Sequence, residues 1–259
     1  ANRHARPDWD DSYWAHWASV TTVVLGGGML SGWLGPPVVA HAARTLRQAG
    51  MTDCAIRLAA WPALLPLVGA ARTVPPACRS VLTFDFGQSF VKRACATYTD
   101  GMLTELHLFP SLPVRDRTAA VSADPTAAQV AELGEELVAT IAATWQLAQA
   151  AGRQPDPVCA VSIASYVRDG QPLPRQGGPY AALHRLSPNL ADWLAGRLSA
   201  ALGRPFAVRL LHDGTAAAHA QAGATHTAVI MLGTALGVGF PPGAHGLRPV
   251  APSLVVSAD

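Results

Sequence analysis

The sequence predicts an α/β fold with two lobes, and three observations support this. Four apolar segments with the character of strands each run into a glycine-containing turn; they lie at residues 23–28, 81–87, 208–214 and 228–233. Segments with helical periodicity alternate with them, as they do when helices connect the strands of a sheet. The chain has 259 residues, half of them apolar, which is enough to bury a substantial core.

The first part of the chain predicts a helix followed by one α/β unit. The helix is expected over residues 10–18, where Trp14 and Trp17 share a face. The unit that follows consists of strand 22–25, helix 38–48 and strand 55–58. Glycines occupy residues 26–28, so a ligand can approach the backbone closely at this turn.

The rest of the chain predicts a hairpin, a long helix and a second series of strands and helices. The hairpin strands are 81–85, 90–98 and 104–109. Helix 127–150 is expected because its apolar residues recur at helical spacing: Val130, Leu133, Leu137, Ile141 and Trp145. The later elements are strand 158–163, a turn-rich loop at 165–170, helix 190–202, strand 208–213, an Ala-rich helix, and two strands around a Gly-Thr turn. Prolines and a Gly-Gly step predict a mobile loop at residues 171–187, beside the cleft.

Charge and cysteine content exclude several classes of function. The formal net charge is only +2, so nothing predicts nucleic acid or an anionic membrane as a partner. The four cysteines have neither metal-ligand nor paired spacing, which favours reduced cysteines in a cytoplasm. Residues 1–7 lack a signal-peptide core, and the apolar run at 23–25 is too short to span a membrane. A cytoplasmic protein is expected, and a homodimer is left open.

Residues 84–92 combine the groups that handle the terminal phosphates of a nucleotide. An apolar strand ends in Asp85, Gly87 and Ser89 and then resumes with Lys92. A carboxylate can hold a metal-bound water, glycine lets backbone amides approach an oxyanion, and a hydroxyl donates a hydrogen bond. An ordinary β-hairpin with an Asp-Phe-Gly turn gives the same pattern, so the interpretation depends on the other turns.

Several segments together resemble one family. Asp85 to Lys92 resembles a first phosphate motif, Asp-x-Gly-Gly-Thr, with Ser89 in place of Thr, and Gly233-Thr234-Ala235-Leu236-Gly237 resembles a second, Gly-Thr-Gly-x-Gly. Residues 189–193 and 211–218 resemble Asn-Leu-x-x-Trp and Asn-Asp-Ala-x-Ala-Ala, while 24–28 and 65–71 resemble an adenosine motif and a closing Gly-Ala-Ala helix. The chain is similar to the superfamily of sugar kinases, Hsp70 chaperones and actin, most closely to its ROK (repressor, open reading frame, kinase) branch.

The resemblance implies a two-lobed actin-like ATPase (ribonuclease H-like) fold with a circularly permuted order of motifs. In the family the adenosine motif and closing helix come last, whereas here they precede the first phosphate motif. A connector at residues 72–80 can join the old ends, although a tandem or fragmentary chain gives the same order. The implied parts are the adenosine-motif part of the nucleotide-binding lobe (1–80), the first phosphate motif with the sugar-binding and catalytic lobe (81–220), and the second phosphate motif returning to the nucleotide-binding lobe (221–259).

The resemblance also implies phosphoryl transfer from ATP, with Mg²⁺, to a hydroxyl of a sugar or sugar-like small molecule. Asp213 would be the general base and would contact the substrate together with Asn189 and His212, while Asp85 would organise the metal. The implied nucleotide-binding residues are Asp85, Gly87, Gln88, Ser89, Lys92, Gly233, Thr234, Gly237, Gly26, Gly27 and Gly28. The N-terminus of the helix beside Asp213 would help to place anionic oxygens.

Each of these roles has a plainer alternative. Lys92 on a strand also suits a solvated face, and Asn189 can simply cap the helix that follows it. Glycines 26–28 can be a helix-entry loop. His212 can be a core histidine, or one that lies behind the reacting groups.

Departures from the family pattern favour a second class of function. Ala235 stands where a glycine approaches phosphate, and His212 stands where Asn is usual. The family's zinc-binding Cys run and its Glu-x-Gly-His sugar motif are absent, and only 19 residues follow Phe240. Substrate recognition is therefore expected to be incomplete, differently built or lost. A catalytically degenerate sugar or nucleotide sensor, or a regulatory subunit of the same fold, is the alternative to a kinase.

Overall fold

The computed structural model describes residues 11–114, 125–174 and 180–258. Its helices are α1 Asp11–Ala18, α2 Gly35–Gln48, α3 Leu65–Ala71, α4 Ala127–Ala150, α5 Leu190–Leu202 and α6 Asp213–His219. Its strands are β1 Thr22–Gly26, β2 Ala55–Leu58, β3 Ser80–Phe86, β4 Phe90–Thr99, β5 Met102–Pro113, β6 Val158–Ile163, β7 Val167–Arg168, β8 Gln171–Pro172, β9 Ala207–His212, β10 Thr227–Leu232, β11 Leu236–Gly239 and β12 Val250–Ala258. Short 3-10 helices lie at Gly28–Leu30, Gly32–Leu34, Pro62–Leu64 and Ala181–Arg185. The predicted mixed α/β class is confirmed.

The larger sheet brings three strand ends to one edge. Its order is β12-β5-β4-β3-β6-β9, in which β4 runs antiparallel to the other strands. The parallel strands β3, β6 and β9 are neighbours, with Asp85 opposite Ser162 and Ser162 opposite Leu211. The residues that follow these strands therefore lie side by side at the carboxyl edge, where ligands bind in open α/β sheets.

The smaller sheet joins the beginning of the chain to its last third. Its order is β11-β10-β1-β2, and β1 is parallel to both β10 and β2. Gly26 at the end of β1 lies opposite Met231 near the end of β10. The glycine turns that follow these two strands are consequently neighbours at one edge of this sheet.

Helices α3 and α6 pack against each other between the two sheets. Leu67 and Val68 of α3 belong to an apolar cluster on the larger sheet, whereas Ala217 and Ala218 of α6 pack with residues of the smaller sheet. The crossing depends on Gly69, because a Cβ there would overlap the carbonyl oxygen of Ala216. Small residues thus let the helices approach closely, and they hold the edges of the two sheets together.

The largest apolar core lies on the opposite face of the larger sheet, under α4 and α5. Side chains alternate along β3, so Leu82, Phe84 and Phe86 are buried against these helices while Val81 and Thr83 face α3. A capping box at Thr126 begins α4. Among the described residues, no helix combines the length and apolar content that crossing a membrane requires.

Two segments differ from the sequence expectations because of proline. Helix α2 begins at Gly35 rather than at residue 38, since Pro36 and Pro37 fit the first helical turn, where no intrahelical N–H bond is lost. Strand β12 was not expected, because Pro252 interrupts its pattern. The strand accommodates this proline at the edge of the larger sheet, where its pairing with β5 shifts register between Val250 and Val255.

The segment expected to be a mobile loop contains regular, packed structure. Strands β7 and β8 form a short hairpin, and a 3-10 helix follows at Ala181–Arg185. Tyr180 is fully buried, and its hydroxyl donates to the carbonyl oxygen of Gly87 at 3.1 Å. Prolines predicted irregular backbone here, but they did not reveal that an aromatic side chain anchors the segment. Residues 175–179 of the expected loop and residue 10 of the first expected helix lie outside the described residues.

Candidate functional site

One pocket lies where the carboxyl edges of the two sheets meet, and it has a volume of about 290 Å³. The first predicted phosphate motif forms one wall. This wall contains Asp85, Gly87, Gln88, Ser89 and Lys92. The motif lies at the end of β3 and the start of β4, so the hairpin turn presents all five residues to the same space.

The glycine turns of the smaller sheet form the facing wall. It contains Gly27, Gly28, Gly233, Thr234 and Gly237. The two walls touch, because the hydroxyls of Ser89 and Thr234 are 2.7 Å apart. A Cβ at Gly28 would enter open space, so backbone at this turn is accessible to a ligand in the pocket.

Asp85 is held by groups on both of its oxygens. Lys92 Nζ lies 2.9 Å from Oδ2, and the Ser162 hydroxyl donates to Oδ1 at 3.0 Å. Asp85 and Lys92 are directly opposite each other in the β3–β4 hairpin. The Asp85 side chain is 5% exposed and that of Lys92 is 25% exposed, so the ammonium group faces the carboxylate at the pocket wall and not only solvent.

Asp213 stands at the third strand end. Strand β9 ends at His212 and α6 begins at Asp213, which lines the pocket. Asp213 Oδ1 accepts from the Gly214 amide at 2.6 Å and lies 3.0 Å from His212 Nε2. The Asp213 side chain is 29% exposed. This carboxylate therefore reaches the pocket from a short, well-anchored turn.

The N-terminus of α6 differs from the anion-binding helix end that was expected. The helix has seven residues, and His212 is its N-cap, with Nδ1 accepting from the Thr215 amide at 3.3 Å. The Gly214 amide is taken by Asp213. Two of the first amides of the helix are thus used within the protein, so α6 supplies a carboxylate rather than free N–H donors.

Two predicted site residues lie outside the pocket lining. Asn189 caps α5, with Oδ1 accepting from the Asp192 amide at 3.2 Å, and its Nδ2 lies 3.5 Å from the Asp169 carbonyl oxygen. A Cβ on Gly26 would overlap the side chains of Leu65 and Met231, so this glycine permits close packing of β1 on α3. The sugar and nucleotide contacts assigned to these two residues stay predictions.

The sequence did not identify Ser165 and Tyr166, which line the pocket, or Ser162, which contacts Asp85 behind it. Ser162 holds Asp85, and the ring of Tyr166 stacks on His212 with a centroid separation of 4.5 Å and an interplanar angle of 20°. Ser165 lines the pocket and is 7% exposed, yet none of the described residues hydrogen-bonds its hydroxyl. A buried hydroxyl without a partner is costly, so Ser165 is a candidate ligand contact. Its position just after β6, between the ends of β3 and β9, was the available signal.

The metal-binding capacity of the pocket is limited. No cluster of three or more His, Cys, Asp or Glu side chains that could hold a metal occurs within the described ranges. Mg²⁺ in nucleotide sites is commonly held by one or two carboxylates plus substrate phosphates and water. Asp85 keeps lone pairs on both oxygens, so the pocket fits a magnesium ion that arrives with phosphates and does not fit a preformed metal cage.

The C-terminal end of α6 is partly buried and lies beside the guanidinium of Arg72. Arg72 Nη1 donates to the His219 carbonyl oxygen at 2.7 Å, and its Nε donates to the Arg248 carbonyl oxygen at 2.7 Å. Burial lowers the pKa of His219, and the Arg72 guanidinium lowers it further. His219 is therefore neutral in the folded protein at pH 7.

Comparisons with known proteins give distant, partial similarities. No family model and no curated protein matches this sequence. The chain is similar to the crystal structure of a ROK hexokinase from Thermus thermophilus, with 18% identity and a TM-score of 0.37 over 64% of this chain and 48% of that one. It is also similar to a Ppx/GppA family protein from Aquifex aeolicus, with 13% identity and a TM-score of 0.28 over 55% and 40%. The chain thus spans less than half the length of either protein, and neither similarity identifies its family.

Proposed function

We propose that this protein transfers the terminal phosphoryl group of ATP to a hydroxyl of a sugar or sugar-like small molecule. The observation that carries the proposal is the convergence of the two predicted phosphate motifs on one pocket, where the hydroxyls of Ser89 and Thr234 are 2.7 Å apart. Phosphoryl transfer relies mainly on positioning and on electrostatic stabilisation. The pocket offers both, since it combines accessible backbone, hydroxyls, a lysine and two carboxylates.

The proposed roles follow from the position of each group. Backbone at Gly233, with Ser89 and Thr234, binds the phosphates, and Lys92 adds positive charge. Backbone at Gly27 and Gly28 lies close to the adenosine. Asp85 orients the water shell of a magnesium ion, which neutralises phosphate charge when bound. Asp213 accepts the proton of the attacking hydroxyl.

The proposed fold is a permuted two-lobed actin-like ATPase. The antiparallel opening β3–β4–β5, followed by parallel β6 and β9, matches the order that the sequence resemblance implies. In the smaller sheet, β1 lies between β10 and β2 although it comes first in the chain. This placement supports a permutation, because the first strand occupies an internal position beside a strand from the last third.

The experiment is magnesium-dependent release of ADP from ATP in the presence of hexoses, amino sugars and nucleosides. Acceptor-stimulated turnover is expected for one class of sugar. Asp213→Asn, which keeps the size of the side chain, should remove it, while Asp53→Asn on an exposed loop is the matched control. Turnover that is the same in both variants would contradict the assignment of Asp213 as the base.

A sensor of the same fold is the second candidate function. It is favoured by the state of Asp85, whose oxygens already contact Lys92 and Ser162, because a neutralised carboxylate attracts a cation less strongly. Calorimetric titration with ATP and with the same sugars separates the two functions. Binding without ADP release under any combination would support the sensor and exclude the kinase.

A further inference from the structure

The imidazole of His212 has both ring nitrogens engaged within the protein. Nδ1 lies 3.3 Å from the Thr215 amide, which can only donate, so Nδ1 is the acceptor. The proton of the neutral ring is therefore on Nε2, which lies 3.0 Å from Asp213 Oδ1. The N-cap of α6 thus fixes the tautomer that donates to Asp213.

The Asp213 carboxylate is consequently asymmetric. Oδ1 accepts from His212 Nε2 and from the Gly214 amide, whereas no hydrogen bond from the described part of the chain reaches Oδ2. An oxygen with two donors is a poorer proton acceptor than one with none. Oδ2 is therefore the oxygen that can take a proton from a ligand in the pocket.

The ring plane of His212 is fixed as well. The Tyr166 ring stacks on it, and His212 itself is 8% exposed. A ring that is capped at one nitrogen, hydrogen-bonded at the other and covered on one face cannot rotate without losing these contacts. It also has no nitrogen left for a substrate hydroxyl.

We propose that His212 is a positioning residue that locks Asp213 with Oδ2 available as the base, rather than a residue that binds the acceptor. The inference rests on the proposed kinase function, because it assigns the supporting group of the same base. It replaces a direct sugar contact with a contact that acts through Asp213.

Two substitutions separate the two bonds of His212. His212→Asn places an amide oxygen near the position of Nδ1, so it keeps the cap but cannot reach Asp213. His212→Gln places an amide N–H near the position of Nε2, so it keeps the donor but weakens the cap. His245→Asn, at an exposed histidine outside the pocket lining, is the matched control. Asp85, Lys92 and Tyr166, the other titratable groups of the pocket, are unchanged in both His212 variants.

The readouts are ADP release across pH with saturating ATP and varied acceptor, and the thermal midpoint. His212→Asn should lower kcat by roughly 10- to 100-fold through misplacement of the base, with little change in acceptor KM. His212→Gln should recover most of kcat but lower Tm by roughly 2–4 °C through the weakened cap.

The outcomes distinguish this inference from the proposed function. If His212→Asn raises the acceptor KM and leaves kcat and the pH profile unchanged, His212 binds the acceptor and the inference is overturned. Unchanged kinetics in His212→Asn, while Asp213→Asn is inactive, also overturns it and leaves the kinase intact. If the unsubstituted protein releases no ADP with any acceptor, the proposed function fails first and this inference fails with it.

Discussion

The two carboxylates of the pocket have opposite surroundings. Asp85, at the end of β3, has a 5% exposed side chain and contacts a lysine and a hydroxyl, one on each oxygen. Asp213, just after β9, has a 29% exposed side chain and uses one oxygen, for a backbone amide and a histidine. Two acidic residues at the ends of β3 and β9, with β6 between them, thus have different surroundings. The first belongs to a charge pair, whereas the second has one oxygen that no hydrogen bond from the described residues reaches.

The largest expected effect is on activity, at Asp213. Asp213→Asn should lower the rate of ADP release by roughly two to four decades, because it removes the general base while keeping the side-chain shape. Its thermal midpoint should change little, since Asn Oδ1 can still accept from Gly214 and His212. Steady-state kinetics and a melting curve test both statements. A large fall in Tm would mean that Asp213 is structural, and the contrast with Asp85 would disappear.

Asp85 should differ from Asp213 in that its substitution lowers stability in addition to removing the proposed contact to magnesium. Asp85→Asn leaves the Lys92 ammonium without its charged partner at a site that is largely buried, which should reduce the free energy of unfolding by about 1–3 kcal/mol. Urea unfolding measures this loss. Lys92→Met added to Asp85→Asn should recover part of it, and equal losses in the single and double variants would show that the pair does not matter.

Two serines near these carboxylates form a matched pair for a smaller effect. Ser162→Ala removes the donor to Asp85 and should lower the free energy of unfolding by about 0.5–1.5 kcal/mol. Ser165→Ala removes a buried hydroxyl that no described residue hydrogen-bonds, so stability should stay within about 0.5 kcal/mol of the original or rise. If Ser165 contacts the acceptor, the same change raises the acceptor KM roughly tenfold. Urea unfolding and acceptor titration of both variants test this, and a large stability loss in Ser165→Ala would contradict it.

The smallest expected effect is a pH dependence of stability that originates at His219. Burial and Arg72 lower the pKa of His219 in the folded protein, so below its ordinary value of about 6.5 the unfolded state binds more protons. Stability that is present above this pH is lost as the pH falls toward the folded value. His219→Gln should reduce the slope of unfolding free energy against pH just below the ordinary histidine pKa of about 6.5. An unchanged slope would assign the acid sensitivity to other groups.

The sequence predicted where strands end and which residues form the turns. It predicted the hydrogen-bond partners of the site side chains less well. Asp85 lies near the end of one apolar strand and Asp213 directly follows another, and the structure brings both to one pocket. The Asp85–Lys92 pairing follows from the hairpin register and was within reach of the sequence. Ser162 lies within a buried strand and has no distinctive spacing, and the only signal for Ser165 is its position just after that strand. Their roles depend on which strands are neighbours.

Prolines account for differences between the predicted and observed element boundaries, and one histidine has an unusual role as a helix cap. Prolines hid the start of α2 and the whole of β12, since the same residue ends one element and fits the first turn or the edge of another. The substrate contact predicted for His212 stays a prediction; in the structure its Nδ1 caps α6 and its Nε2 lies 3.0 Å from Asp213 Oδ1. An N-cap is normally identified by Ser, Thr, Asp or Asn, so a histidine in that role is easily overlooked.

The central position of β1 in the smaller sheet has a consequence for how the chain folds during synthesis. Thr22 pairs with Thr227, so β1 waits for about 200 further residues before its neighbour β10 exists, and such long-range pairing is slow. The strands from β3 to β9 become available earlier and can form most of the larger sheet first. Until β10 emerges from the ribosome, β1 and β2 expose apolar strand edges, and the nascent chain is most vulnerable to aggregation in that interval.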